Sequence, residues 1–215
     1  MIDAVIFDLD GVLIDSEPLW EHARAAFVRE QGGAYTSEVT GDIMGMSAPE
    51  WAHFLRQRFQ LALPEQQIND EVVARLTAAY RANLPLVAGA QAAVRRCAAR
   101  FPLALASSSN RSLIDLVLQL ADLSDAFTVT ISSEEVGRGK PAPDVYLRAA
   151  QLLGVAAARC AAVEDSTNGL RSAKDAGCRL IAFPNRERAP TAETLALAEV
   201  TIARLDDLDA ALATL

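Results

Sequence analysis

The sequence predicts an α/β protein built on a doubly wound, Rossmann-like parallel sheet, with an α-helical cap domain inserted in it. Two observations lead to this prediction. Short apolar runs recur with helical patterns between most of them, and one long segment separates the first run from the second. Runs that are apolar at every position are typical of parallel strands, which helices cover on both faces. The predicted strands are residues 4–7, 103–106, 129–131, 160–163, 180–183 and 200–202.

Helical patterns follow the second and third predicted strands. Leu113, Ile114, Val117 and Leu118 fall on one face of a helix, and residues 145–153 show a similar apolar face. Strands that alternate with amphipathic helices predict a parallel sheet with helices on both sides.

The segment between the first and second strands is far longer than one crossover helix requires. Helical patterns fill most of it, at residues 19–27, 51–59 and 68–80, around a polar, glycine-containing stretch at 31–46. We therefore expect residues 15–85 to form a helical cap domain, and residues 1–14 and 86–215 to form the core domain. The two connections between these domains would lie at residues 14–16 and 85–87.

The 215-residue chain carries a formal net charge of −8, which argues against a nucleic-acid partner because such partners select for basic surfaces. Its three cysteines, Cys97, Cys160 and Cys178, show no metal-binding or redox spacing, so we expect buried, reduced thiols. No secretory leader and no apolar stretch long enough to span a membrane is evident. We expect a soluble, cytoplasmic monomer with no membrane partner.

Polar side chains follow three of the predicted strands. Asp8 and Asp10 come directly after the first strand, residues 107–110 (SSSN) after the second, and Glu164 with Asp165 after a later one. Ligands bind open parallel sheets beyond the carboxyl ends of the strands. Each group alone is ordinary loop chemistry, but three such ends together predict one shared site.

Four carboxylates in one cleft could not all remain ionised without a cation. Their oxygen atoms suit a hard ion, and a small number of carboxylates combined with substrate oxygens favours Mg²⁺. The candidate metal ligands are Asp8, Asp10, Glu164 and Asp165. Zinc is disfavoured, because the only histidines, His22 and His53, lie in the insert and do not form a ligand pair.

A helix predicted to begin near Arg111 offers free backbone amides to an anion. Ser107, Ser108 and Asn110 stand beside it, although Ser109 or Asn110 would also serve as an ordinary N-cap.

The second candidate for anion binding is Lys140, in the loop GRGKPAP. This loop is not a P-loop, since Glu134 occupies the place of the first glycine and Pro141 that of the serine or threonine. Pro141 instead holds Lys140 in extended backbone, between two strands that carry acidic residues.

Taken together, DLDG at residues 8–11, Ser107, Lys140-Pro141 and Glu164-Asp165 resemble the four motifs of the haloacid dehalogenase-like hydrolase superfamily. The order and spacing match along nearly the whole chain. The stretches DLDGVLIDSE, KPAPDVYL and VEDSTNGLRSAKDAG resemble its helical-cap phosphatase and β-phosphoglucomutase branch.

This resemblance implies a role for each motif. Asp8 would be the nucleophile that forms an aspartyl phosphate, and Asp10 the general acid and base. Ser107 and Lys140 would bind the transferring phosphoryl group. Mg²⁺ would be held by Asp8, by the backbone carbonyl of Asp10 and by Asp165, with Glu164 direct or through water. Residues at alternate positions of an extended segment face the same side, which lets Asp8 and Asp10 act together.

Asp10 disfavours the dehalogenases and phosphonatases of the superfamily, which lack a second aspartate. The mutase alternative stays open, although β-phosphoglucomutases carry a histidine where Trp20 stands and a basic pair around Met44 and Ala48. A receiver domain, which accepts a phosphoryl group without enzymatic turnover, uses similar residues in a shorter chain. Its acidic pair ends the first strand and its acceptor aspartate lies on a later strand.

The preferred interpretation is a phosphatase acting on a small phosphorylated metabolite, such as a sugar phosphate. The sequence does not identify the substrate. Its recognition surface would come from the insert, from Trp20, His22, Arg24 and residues 41–51.

Overall fold

The computed structural model describes residues 1–43, 46–185 and 189–215. Within these ranges, six parallel strands form one sheet in the order β3-β2-β1-β4-β5-β6. The strands are β1 (Ala4–Phe7), β2 (Leu103–Ser107), β3 (Val129–Ser132), β4 (Cys160–Glu164), β5 (Arg179–Ala182) and β6 (Val200–Thr201). The α-helices are α1 (Glu17–Glu30), α2 (Ser37–Ile43), α3 (Ala48–Phe59), α4 (Glu65–Ala82), α5 (Ala90–Ala98), α6 (Arg111–Leu120), α7 (Asp144–Leu153), α8 (Thr167–Asp175), α9 (Ala192–Leu195) and α10 (Leu208–Leu212).

The predicted fold class is confirmed, and each predicted strand overlaps an observed one. β1, β2 and β4 are buried at every position, as expected for strands covered on both faces. β1 lies at the centre, where Phe7 pairs with Leu105 of β2 on one side and with Val163 of β4 on the other.

The chain runs outward from β1 through β2 to β3, and then returns to place β4 on the opposite side of β1. This reversal of strand order is the topological switch point at which open α/β sheets bind ligands. The carboxyl ends of β1, β2 and β4 therefore meet at one edge of the sheet.

Among the described residues, five helices lie between β1 and β2, and the first four, α1 to α4, fall in the predicted helical insert. The sequence analysis missed α2 because its polar composition and Gly41 gave no clear apolar period; Val39, Thr40 and Ile43 form its buried face. The insert packs against the core in one continuous hydrophobic cluster, which joins Trp51 and Leu55 to strand residues such as Val5.

The two connections between insert and core run side by side. Ile14 and Leu86 form an antiparallel bridge, the Asp15 amide donates to the Pro85 carbonyl at 2.8 Å, and the Val87 amide donates to the Leu13 carbonyl at 3.0 Å. This pairing lies at the predicted connections. The assignment of residues 15–85 to a separate domain stays a prediction.

Among the described residues, no helix is long and apolar enough to cross a membrane. Cys97, Cys160 and Cys178 are buried free thiols, as predicted. Burial raises the pKa of Cys97 and Cys160 to about 11 and that of Cys178 to about 12, so these thiols stay protonated at neutral pH.

Candidate active site

Lys140 joins two of the predicted acidic residues. It lies in the loop between β3 and α7, and its Nζ donates to Asp8 Oδ1 at 2.8 Å and to Glu164 Oε1 at 2.6 Å. A third hydrogen bond, to the Ala106 carbonyl at 3.1 Å, uses the remaining proton of the ammonium group. The side chain is 3% exposed, so this ammonium is a fixed charge of the site and not a solvated loop lysine.

Negative charge exceeds positive charge around this lysine. Burial raises the pKa of Asp8 to about 8, despite the opposing effect of Lys140. Burial also raises the pKa of Asp165 well above its usual value, with a further contribution from the charge of Glu164. Desolvation alone would lower the pKa of Lys140, but Asp8 and Glu164 raise it above its ordinary value. Three clustered carboxylates with one ammonium leave a net negative charge, which a bound cation would neutralise.

Glu164 is fully buried, and both of its carboxylate oxygens are engaged. Oε1 accepts from Lys140 Nζ and, at 2.8 Å, from the Tyr146 hydroxyl. Oε2 accepts from the Asp165 amide at 3.0 Å and from the Ser166 amide and hydroxyl at 3.3 and 3.2 Å. A carboxylate with five donors is better suited to orienting Lys140 and the loop after β4 than to binding a metal directly.

Asp165, unlike Glu164, has a carboxylate oxygen that is not hydrogen-bonded within the part of the chain that the structure describes. Its Oδ1 is buried and has no hydrogen-bond partner among the described residues. Asp8, Glu164 and Asp165 each place a carboxylate oxygen within 4.8 Å of the other two. Gly11 makes this approach possible: at its φ of +83° a side chain is strained, and a Cβ there would lie 1.9 Å from Asp165 Oδ2. An oxygen-only set with one unsatisfied member fits a hard cation such as Mg²⁺.

Asp10 lies where the sheet and the insert meet. Oδ1 accepts from the Ser16 hydroxyl at 2.5 Å and the Trp20 indole at 3.3 Å, both on the insert side. Oδ2 accepts from the hydroxyls of Ser107 at 3.3 Å and Ser109 at 2.7 Å, both on the core side. These donors fix the carboxylate beside Asp8 but outside the Lys140 cluster, so the two predicted catalytic aspartates have different environments.

The predicted phosphate-binding residues separate into two groups. Ser108 and Lys140 line the cavity described below, and Ser107 is buried behind it, with its Oγ accepting from the Ser109 amide at 3.0 Å. Asn110 points elsewhere, since its Nδ2 donates to Asn69 Oδ1 at 3.0 Å and to Glu134 Oε1 at 2.7 Å.

The amide at the start of α6 is also engaged. The Arg111 amide donates to Glu134 Oε2 at 2.8 Å, so a carboxylate of the protein takes the position that the sequence analysis assigned to a bound anion. The geometry therefore disfavours Asn110 and this helix N-terminus as phosphate-binding groups.

A cavity of about 350 Å³ opens between the sheet edge and the insert. Asp8, Asp10 and Asp165 line it from the core. From the predicted recognition surface, the residues that line it are Trp20, Arg24, Gly41, Met46 and Trp51. His22 is exposed and is not among the lining residues, whereas Met44 and Gly45 lie outside the described residues.

Three supporting residues escaped the sequence analysis. Ser16 and Ser109 bind Asp10, and Tyr146 binds Glu164. Ser109 was predicted only as a member of the SSSN strand end and as a helix cap, not as a partner of Asp10. Tyr146 lies in an apolar helical pattern that is also typical of an ordinary core residue. Ser16 lies in the expected domain connection, and no local pattern marks it as a partner of Asp10.

An α/β sheet with a helical insert and an acid–lysine cluster at its switch point defines an enzyme of the phosphoryl-transfer type. The haloacid dehalogenase-like hydrolase family matches residues 2–177 of the chain. The chain belongs to this family, as the motifs predicted.

Known proteins similar to this chain include a phosphatase and a mutase. Hexitol phosphatase B of Escherichia coli (strain K12) is 35% identical over 213 residues, covering 96% of this chain and 94% of the relative. The structure of CbbY from Rhodobacter sphaeroides in complex with phosphate is 26% identical, with a TM-score of 0.84 over 97% of this chain and 96% of that one. The β-phosphoglucomutase of Clostridium difficile, at 20% identity and a TM-score of 0.83 over 97% and 93% of the two chains, shares the fold.

These relationships confirm the predicted enzyme class, a hydrolase acting on phosphoric monoesters. They disfavour the receiver-domain alternative, because the chain matches an enzyme family over most of its length. The roles of individual site residues stay predictions.

Proposed function

We propose that the protein is a Mg²⁺-dependent phosphatase that hydrolyses a small sugar or polyol phosphate through an aspartyl phosphate on Asp8. The supporting observation is the pairing of Asp8 with Lys140 at 2.8 Å in a cavity that Asp10 also lines. Similarity to a hexitol phosphatase supports the substrate class.

A carboxylate oxygen of Asp8 attacks phosphorus, and the ester oxygen leaves as the new acyl phosphate bond forms. Lys140 offsets the negative charge that would otherwise keep a carboxylate away from a phosphate. Asp10 donates a proton to the departing oxygen, which leaves as an alcohol. Asp10 then accepts a proton from the water that hydrolyses the acyl phosphate, returning Asp8 to its free form.

Asp8, Asp165 and the backbone carbonyl of Asp10 would hold the metal, with Glu164 behind them. When bound, Mg²⁺ would supply positive charge that keeps Asp8 ionised and neutralises phosphoryl oxygens. Glu164 orients Lys140 and the amides of the loop after β4.

We favour a phosphatase over a mutase because of the residues that the insert carries where the mutases have a histidine and a basic pair. Trp20 donates its indole N–H to Asp10 Oδ1 and has no basic nitrogen with which to exchange a proton. Ala48 offers no charge for a second phosphate. Met44, the other position of the mutase basic pair, lies outside the described residues.

The direct test is phosphate release from a panel of sugar and polyol phosphates by the purified protein. Activity in Mg²⁺ should fall at least about tenfold in EDTA and return when Mg²⁺ is added in excess. Full activity in metal-free buffer would contradict the proposal. Interconversion of β-glucose 1-phosphate and glucose 6-phosphate in the presence of glucose 1,6-bisphosphate, with little free phosphate, would favour the mutase.

A second prediction concerns metal binding without turnover. Mg²⁺ should raise the melting temperature of the protein, because an ion that binds only the folded state stabilises it. Asp165→Asn should remove most of this increase, since it replaces the carboxylate whose Oδ1 lacks a partner. Asp175→Asn, at the exposed end of α8, is the matched control and should keep the increase. An equal Mg²⁺ response in both variants would place the metal elsewhere.

A further inference from the structure

Arg24 is a buried arginine of the insert that faces the same cavity as the catalytic aspartates. It lies one turn after Trp20 on α1, so both side chains share one helix face. Its guanidinium carbon is 4.5 Å from the Trp20 ring centroid and 5.1 Å from that of Trp51. Both distances lie in the range of cation–π contacts, which use the π-electrons of the rings and do not satisfy the N–H donors of the guanidinium.

The hydrogen bonding of this arginine is incomplete. The side chain is 5% exposed, yet its buried Nε has no partner among the described residues. Burial lowers the pKa of Arg24, while the neighbouring Tyr35, Glu17 and Asp10 raise it and offset part of that effect. An arginine that only packed against two indoles would normally have its buried donors satisfied. A donor without a partner at the wall of a cavity points to a ligand.

The charges around Arg24 restrict what this ligand can be. Among the described residues, Asp10 and Asp15 line the cavity together with Arg24, so their carboxylates outnumber the arginine on this side. A second phosphate or a carboxylate at the far end of a substrate would meet net repulsion. A hydroxyl group both donates and accepts, which matches a wall of carboxylates and one guanidinium; an anion only accepts.

We propose that Arg24 donates from Nε to a hydroxyl oxygen of the substrate, and that it thereby selects monophosphates of neutral polyhydroxy compounds over substrates with a second anionic group. This inference rests on the phosphatase function proposed above. It assigns substrate selection to a residue of α1, remote from the four family motifs.

Three phosphate esters of similar length test the proposal: sorbitol 6-phosphate, hexyl phosphate without hydroxyls, and 6-phosphogluconate with a terminal carboxylate. The wild-type protein in saturating Mg²⁺ should prefer sorbitol 6-phosphate in kcat/KM over both others. Arg24→Met should lower the ratio of kcat/KM between sorbitol 6-phosphate and hexyl phosphate by about 10- to 100-fold, the scale of a lost hydrogen bond from a charged group.

Arg29→Met is the matched control, because Arg29 lies on the same helix with an exposed side chain; its substrate ratio should equal that of the wild type. If thermal melting shows that Arg24→Met is not folded, Arg24→Lys takes its place as the test variant. Lysine keeps the charge but lacks the planar donor, so the ratio of kcat/KM between sorbitol 6-phosphate and hexyl phosphate should fall in this variant as well. An unchanged ratio in the folded variant, or a wild-type preference for 6-phosphogluconate, would overturn the inference and leave the phosphatase intact. Absence of Mg²⁺-dependent phosphate release from every ester would overturn both.

Discussion

Asp8→Asn should lower kcat by roughly 10⁴-fold or more and abolish phosphorylation of the protein, because an amide cannot replace a carboxylate as nucleophile. Asparagine keeps the size of the side chain and leaves Glu164 as a partner of Lys140. The loss should therefore come from chemistry and not from a collapsed site. Acid-quench trapping of ³²P from a labelled substrate measures the phosphoenzyme directly.

The stability of this variant separates loss of chemistry from loss of folding. Folding raises the pKa of Asp8 from its usual 3.8 to about 8, so the folded metal-free protein binds more protons than the unfolded chain between these pH values. The free energy of unfolding of the wild type therefore falls as the pH rises through this window and Asp8 ionises. Asparagine does not ionise, so Asp8→Asn avoids this loss of stability. At pH 7 in EDTA, Asp8→Asn should melt at or above the temperature of the wild type.

Asp3→Asn, at the opposite end of the same strand, is the control and should keep its kcat. Its carboxylate binds the surface residue Arg159, far from the cavity. Trapping of phosphate on Asp8→Asn at the wild-type level would place the nucleophile elsewhere.

Much of the core could be predicted because its signals are local. Strands buried on both faces are apolar at every position, so β1, β2 and β4 are visible in the sequence with nearly their observed bounds. Asp8 and Asp10 follow β1 at alternate positions, and strand alternation alone indicates that they share a side.

Contacts between distant segments could not be predicted in the same way. Glu134 reaches the N-terminus of α6 from the turn after β3, and this contact redirects Asn110 away from the cavity. Tyr146 reads as a core aromatic residue until the structure brings its hydroxyl to Glu164. Helix α2 lacks a clear apolar period because its buried face is short and consists of Val39, the polar Thr40 and Ile43.

The burial of Arg24 also depends on contacts between distant segments, so it could not be predicted from the local sequence. The sequence analysis placed Arg24 on the recognition surface, but its position on an amphipathic helix would by itself predict a solvated side chain, since charged residues usually occupy the polar face. The docking of α3, which brings the Trp51 ring centroid to 5.1 Å from the guanidinium carbon, makes it a buried group of the cavity wall. Site residues supplied by the insert therefore depend on helix packing, whereas those supplied by the sheet follow from strand ends.

Asp10→Asn should lower kcat for an alkyl phosphate by about 10²- to 10⁴-fold, the scale of a lost general acid and base. Leaving groups should separate its two roles. p-Nitrophenolate leaves without protonation, so phosphorylation by p-nitrophenyl phosphate should be far less impaired than phosphorylation by an alkyl ester. Hydrolysis of the acyl phosphate should still be slow, because water has lost its base. Rapid mixing should therefore show a burst of p-nitrophenolate, close to one per enzyme, followed by slow turnover.

The competing explanation is that Asp10 only positions the insert, since its carboxylate accepts hydrogen bonds from Ser16 and Trp20 as well as from the core. Ser16→Ala tests this directly: it removes the 2.5 Å contact from the insert side but keeps the carboxylate. A positioning role predicts comparable losses in Ser16→Ala and Asp10→Asn, equal for both leaving groups. Acid–base catalysis predicts only a small loss in Ser16→Ala, with no dependence on the leaving group, and a large, leaving-group-dependent loss in Asp10→Asn. Equal losses in the two variants would assign Asp10 to positioning and leave the proton donor to be found among the other groups of the cavity.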